Sequence, residues 1–241
     1  MKFADKSLAQ IVTEFPSAVA ILEKHDLDYC CKGKQALSSA CQSTEKLEML
    51  EQELDALIST QASKNEFINF KALSSKDLVD HILLKHHKYV KEAIPLIDAY
   101  LHKVSSKHGE RHPELFEIKK IFSEVCDEML SHMAKEEKIL FPAIKHIQGL
   151  LADGLPIPGV VQLKGPIEVM EMEHEQVGSL LAEIRKLTNK YSPPADACMT
   201  YKLSFEELRE LEEDLHKHVH LENNILFPRV REYMQVTTTL V

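Results

Sequence analysis

Glycine is scarce in this chain, 7 in 241 residues, which suits a helical protein. Long apolar runs are missing too. No stretch approaches the roughly 20 apolar residues of a membrane-spanning helix, so no membrane partner is expected. Basic residues are outnumbered, 29 Lys and Arg against 38 Asp and Glu, giving a formal charge of −9. That balance argues against a nucleic-acid backbone as partner, because phosphates need basic patches. The first residues, Met-Lys-Phe-Ala-Asp-Lys-Ser, lead into an amphipathic segment and not an apolar signal core, so the expected location is the cytoplasm. Cysteine is sparse and odd in number, 5, with no spacing that suggests a disulfide framework. Cys30 and Cys31 are adjacent, where a mutual disulfide is strained.

Histidine is abundant, 13 residues, and several sit in a repeat. His132-Met-Ala-Lys-Glu136-Glu-Lys-Ile-Leu-Phe141-Pro142 returns as His218-Val-His-Leu-Glu222-Asn-Asn-Ile-Leu-Phe227-Pro228. Four residues on an α-helix turn about 400°, so each His shares a face with its Glu. A single His-x3-Glu is usually a solvated helical pair. Two copies at one offset from an apolar Ile-Leu-Phe-Pro run face inward by the same geometry. A buried carboxylate is costly, and a metal ion removes that cost.

The repeat reaches upstream. His87 lies 45 residues before His132, and His174 lies 44 before His218. Each half reads as a helical hairpin, and two hairpins make a four-helix bundle with four imidazoles and two carboxylates in its core. His86 competes with His87, since adjacent helical positions differ by only about 100°. The apolar pattern around them does not separate the two. His216 and His220 flank His218 and point elsewhere on the helix. Imidazole and carboxylate without thiolate suit iron or manganese better than zinc. Glu128, one turn before His132, and Glu173, next to His174, are placed to accept from an imidazole or relay a proton. Both equally fit ordinary exposed helix positions.

The predicted organisation is all-α. Residues 1–60 form a small helical module, 61–74 a polar linker, and 75–236 the bundle. In the module, Ser7 caps a helix over Leu8–Phe15, Pro16 opens a second running to about His25, a short third carries Leu37 and Cys41, and a fourth spans about 44–58. In the bundle, Ser74 or Ser75 caps a helix ending near Ser105. The second helix spans about 113–146, the third 166–190 and the last 199–234, with a loop over 149–166. Cys30 and Cys31, in a turn beside Lys32 and Gly33, read as a redox or metal-contacting pair as readily as a packing pair.

At these residues the chain resembles the iron–sulfur cluster repair di-iron family (RIC), a hemerythrin-like domain preceded by a ScdA-type N-terminal domain. The resemblance rests on Asp28-Tyr-Cys-Cys31 with Gly33-Lys-Gln35, Asp80-His-Ile82 leading to His87, Ser131-His-Met133 with Lys135-Glu-Glu137, Val169-Met-Glu171 with Glu173-His174, and Leu221-Glu-Asn-Asn224. It covers nearly the whole chain. It implies two non-haem iron ions per chain, oxo- and carboxylate-bridged, with His87, His132, His174 and His218 as ligands and Glu136 and Glu222 as bridges. It favours His87 over His86. The implied function is repair of iron–sulfur clusters damaged by oxidative and nitrosative stress. The implied partners are damaged iron–sulfur proteins, nitric oxide or oxygen as small ligand, and a second copy in a homodimer. Cys30 and Cys31 are then possible sites of redox or iron transfer. Two rivals stand beside this reading: a di-iron nitric oxide reductase, and an oxygen or nitric oxide sensor module. Oxygen-carrying hemerythrins usually supply a further histidine on the second helix and an aspartate on the last, a pattern missing after Glu136 and Glu222.

Overall fold

The computed structural model describes residues 3–61, 68–155, 157 and 163–238. Among them the regular structure is helical, and the one β-type pairing is an isolated bridge between Ser7 and Ala36. Ser7 caps α1 (Leu8–Glu14): its hydroxyl accepts from the Gln10 amide, and the Gln10 side chain accepts from the Ser7 amide. Pro16 starts a 3-10 turn that runs into α2 (Val19–Lys24). Helices α3 (Leu37–Ala40) and α4 (Thr44–Gln61) follow. Phe3, Leu8, Ile11, Leu22, Leu37, Leu50 and Leu54 form the core of this first part, and Val219 from a later helix joins it. Of the expected linker over 61–74, residues 62–67 lie outside the described residues.

Four long rods follow. The first is α5 (Ser75–His81), a π-helical turn over Ile82–His87, and α6 (Lys88–His108). Ser74 is its cap, accepting from the Asp77 amide. The second is α7 (Glu114–Lys135), a π turn over Glu136–Leu140, and α8 (Phe141–Ala152). The third is α9 (Lys164–Leu187). The fourth is α10 (Met199–Leu221), a π turn over Glu222–Leu226, and α11 (Phe227–Thr238). Helix α6 packs on α7 and α10, and α7 packs on α9. Val90, Ile97, Leu101, Phe122, Val125, Leu181 and Leu208 fill the interior away from the π turns. Phe141, Ile144, Leu226, Phe227 and Val230 fill it beyond them.

The rods differ from expectation at their ends. The second runs to Ala152, into the region expected as loop, because Leu150-Leu-Ala152 continue the helix until Gly154 adopts φ +66°. The third stops at Leu187 and not at Lys190, since Asn189, Lys190 and Tyr191 all take left-handed conformations. Of the expected 149–166 loop, 156, 158–162 lie outside the described residues, while Ile157 and Leu163 pack on the apolar cluster around Ile147 and Ile167.

Two of the π turns have a cause in the sequence. Proline has no N–H to give the carbonyl four residues back, and its ring crowds that carbonyl. Pro142 and Pro228 therefore release the ladder at Lys138 and Asn224, and the turn before each widens. Such π turns gather at functional sites, and here each one begins or ends at a residue of the buried cluster described next.

Candidate metal centre

Four imidazoles and two carboxylates meet inside the bundle. His87, His132, Glu136, His174, His218 and Glu222 are all at most 3 % exposed. They fall into two donor sets, His87 with His218 and His132 with His174, and both sets contain Glu136 and Glu222. Within each set the donor atoms lie within 4.8 Å of one another, close enough to hold a metal ion. The sequence-derived residues are thus brought together as two donor sets sharing two carboxylates.

Around the cluster, three imidazoles are held from behind. Nδ1 of His87 donates to Glu137 at 2.8 Å, Nδ1 of His132 to Glu173 at 2.9 Å, and Nδ1 of His174 to the Asn223 oxygen at 2.9 Å. These acceptors put the proton on Nδ1 and turn the Nε2 lone pair inward. The inward atoms are poorly matched to one another. Nε2 of His132 and His174 lie 3.0 Å apart. Nε2 of His87 and of His132 each lie 3.3 Å from Oε2 of Glu136. Nε2 of His87, both oxygens of Glu136 and Oε2 of Glu222 are buried without a hydrogen-bond partner. Lone pairs facing lone pairs in a dry interior need a cation between them.

The electrostatics agree. Burial and then the Glu222 carboxylate push Glu136 well above the usual carboxylate range. Burial works against Glu222 too, but His218 and His174 outweigh it and hold Glu222 low. Burial pushes His132 down to about 4, with His174 adding to the effect. Burial also opposes charge on His174, but Glu222 prevails and raises it. Without a metal, Glu136 and His174 are thus shifted toward their protonated forms and Glu222 and His132 away from theirs.

Other candidates fall as follows. His86 turns away from the carboxylates: its Nδ1 pairs with both oxygens of Asp214 at 3.0 Å, while its ring stacks on His218, centroids 5.5 Å apart and 8° from parallel. Glu173 stands behind His132. Glu128 accepts from the Gln176 side chain, and that exposed pair involves no imidazole. Glu137 and Asn223 were not singled out from the sequence. Each directly follows a carboxylate of the cluster in the sequence. His216 pairs with Glu23, and His220 with Thr13 and Asn224.

The cysteine pair is nearer to the cluster than its place in the sequence suggests. The Asp28 carboxylate accepts from the amides of Cys30 and Cys31 and from the Cys30 thiol, and the two sulfurs lie 3.9 Å apart. The hydrogen bond from Cys30 lowers Cys31, and the same bond together with burial raises Cys30, so Cys31 ionises first. Asp28, Cys30 and Cys31 form a third group able to hold a metal ion. A cavity of about 430 Å³ is lined by Cys30, Cys31, Met129, His174 and His216. The carbonyls of Tyr29 and Cys30 accept from Asn224. Gly33 is needed beside this contact, since a Cβ there would lie 2.5 Å from the Tyr29 oxygen and 2.7 Å from Asn224 Oδ1.

A helical bundle with imidazoles ranged about two shared, buried carboxylates belongs to the class of histidine–carboxylate metal-binding bundles. The chain belongs to the hemerythrin HHE cation binding domain family, whose model matches residues 78–230. A second family model, ScdA_N, described as a domain of unknown function (DUF542), matches residues 4–58. Among curated relatives, the iron–sulfur cluster repair protein YtfE of Enterobacter sp. (strain 638) is 36% identical over 230 residues, covering 95% of this chain and 98% of the relative. The protein of the same name from Escherichia coli O8 (strain IAI1) matches with the same identity and coverage. No helix among the described residues is long and apolar enough to cross a membrane.

Proposed function

We propose that this protein repairs iron–sulfur clusters damaged by oxidative and nitrosative stress, and that its cluster holds two non-haem irons. His87 and His218 would serve one, His132 and His174 the other, and Glu136 and Glu222 both. The observation that carries this is the pair of donor sets with shared carboxylates, of which both Glu136 oxygens and Oε2 of Glu222 are buried without a hydrogen-bond partner. The name of the relatives supports the repair role. Iron held there would supply a redox couple and a place for nitric oxide or oxygen to bind.

The chain's own residues do the rest. Glu137, Glu173 and Asn223 hold three imidazoles with Nε2 inward. Phe141 lies against His87 and Phe227 against His174, closing the end of the cluster to water. Cys30 and Cys31, on the wall of the cavity that reaches His174, are suited to pass iron or electrons, with Cys31 the more readily ionised of the two. The described cysteines are free, which fits the reducing cytoplasm.

The test is reactivation of an iron–sulfur hydro-lyase whose cluster has been damaged by nitric oxide. The full chain restores activity, and the double variant Cys30→Ser/Cys31→Ser restores less while keeping its iron. Catalytic turnover of nitric oxide without any reactivation would favour the reductase reading instead.

A further inference from the structure

A second cavity, about 280 Å³, lies where the N-terminal helices meet the bundle, on the far side of His86 from the metal cluster. Five of its lining residues carry aromatic or imidazole rings: Tyr29, Phe70, His81, His86 and His220. They contact one another edge-on or tilted. Phe70 and His81 have centroids 4.9 Å apart, His81 and His86 5.7 Å, and Tyr29 and His220 5.6 Å. Several of their polar atoms are engaged elsewhere. His220 uses Nδ1 on Asn224 and Nε2 on Thr13, His86 uses Nδ1 on Asp214, and the Tyr29 hydroxyl donates to Glu23. The rings share the lining with apolar side chains, among them Val12, Val19, Leu221 and Ile225.

Two lysines complete the lining, Lys85 and Lys217, both exposed. Lysines on this acidic surface are commonly paired, as Lys24 is with Glu53 and Lys190 with Asp26. Among the described residues, Lys85 and Lys217 have no carboxylate within ion-pair distance. The nearby Asp214 carboxylate is taken by His86. An apolar, ring-lined hollow with two uncommitted ammonium groups at its edge fits a flat apolar body carrying one negative charge.

We propose that this cavity binds a planar aromatic anion, with its ring among the five rings and its acid group at Lys85 and Lys217. The volume admits a bicyclic ring acid. The occupant would lie one imidazole from the metal cluster, since His86 stacks flat on His218.

The probe is naphthalene-2-carboxylate, titrated into the full-length protein and followed by its own fluorescence, a readout independent of metal content. Saturable 1:1 binding is expected, with a dissociation constant on the order of 0.1 mM for a ligand of this size. The double variant Lys85→Gln/Lys217→Gln should weaken it about tenfold. The neutral 2-naphthylmethanol should bind the parent protein about as weakly as the acid binds that variant. Val12→Trp, which fills the cavity, should abolish binding if the variant folds by circular dichroism; if it does not fold, the lysine variant decides. Absence of saturable binding overturns the proposal. So does undiminished binding by the lysine variant, by a folded Val12→Trp protein, or by the neutral analogue.

Discussion

Asn223 joins His174 to the backbone of Cys30: its side-chain oxygen accepts from Nδ1 of His174 at 2.9 Å, and its nitrogen lies 3.5 Å from the Cys30 carbonyl. The next residue, Asn224, reaches the same carbonyl at 3.0 Å. Two adjacent amides thus do different jobs, one orienting an imidazole of the cluster and the other fastening the cysteine turn to the bundle.

Asn223→Ala should therefore lower metal affinity about 10- to 100-fold, the usual effect of removing the partner that orients a ligand histidine. Asn224→Ala should leave metal affinity within a factor of about three and loosen the N-terminal part, measured as faster amide exchange over residues 28–33. Equal loss of metal in both variants would mean that docking of the cysteine turn, and not His174 orientation, governs the cluster.

His86→Ala should keep its metal, and His87→Ala should lose it. Nε2 of His87 faces Glu136 at 3.3 Å, whereas His86 is committed to Asp214. Metal content of the two purified proteins decides, and the reverse result would move the ligand by one position.

Metal and protons compete for the cluster. In the metal-free protein Glu136 sits well above its ordinary value and His174 is raised, so both favour the protonated form. Protonation of either group opposes loading, so affinity should rise with pH and fall on acidification. An indicator dye should register proton release as ferrous iron is added to weakly buffered, metal-free protein at neutral pH. Glu136→Gln should release fewer protons and bind less iron. Metal-free Glu136→Gln should be at least as stable as the metal-free parent, because it replaces a costly buried carboxyl with a neutral group of the same shape. A loss of several kcal/mol on thermal unfolding of that variant would contradict this role for Glu136.

How much of this could be read from the sequence depends on what each feature rests on. The His-x3-Glu repeat placed four donors, because helical spacing fixes which side chains share a face. The upstream histidines needed the repeat distance, and periodicity alone could not choose between His86 and His87. A π turn over Ile82–His87 lies at that point, so a count of 3.6 residues per turn fails there. Ser7 was legible as a cap, and a cap at Ser74 or Ser75, because a cap is a local hydrogen bond; the structure selects Ser74. The nearness of Cys31 to His174 was not legible. It depends on docking between parts of the chain more than 140 residues apart, and no local pattern encodes that. Glu137 and Asn223 lie one position after the conspicuous glutamates, where either could equally have faced solvent.

The most direct measurement is metal analysis of the purified full-length protein, alone and as Glu136→Ala and Glu222→Ala. Two irons per chain in the parent are expected, with both irons depleted by either single substitution, because each carboxylate belongs to both donor sets. One zinc and no iron in the parent, or full iron content in both variants, would contradict the shared-carboxylate centre.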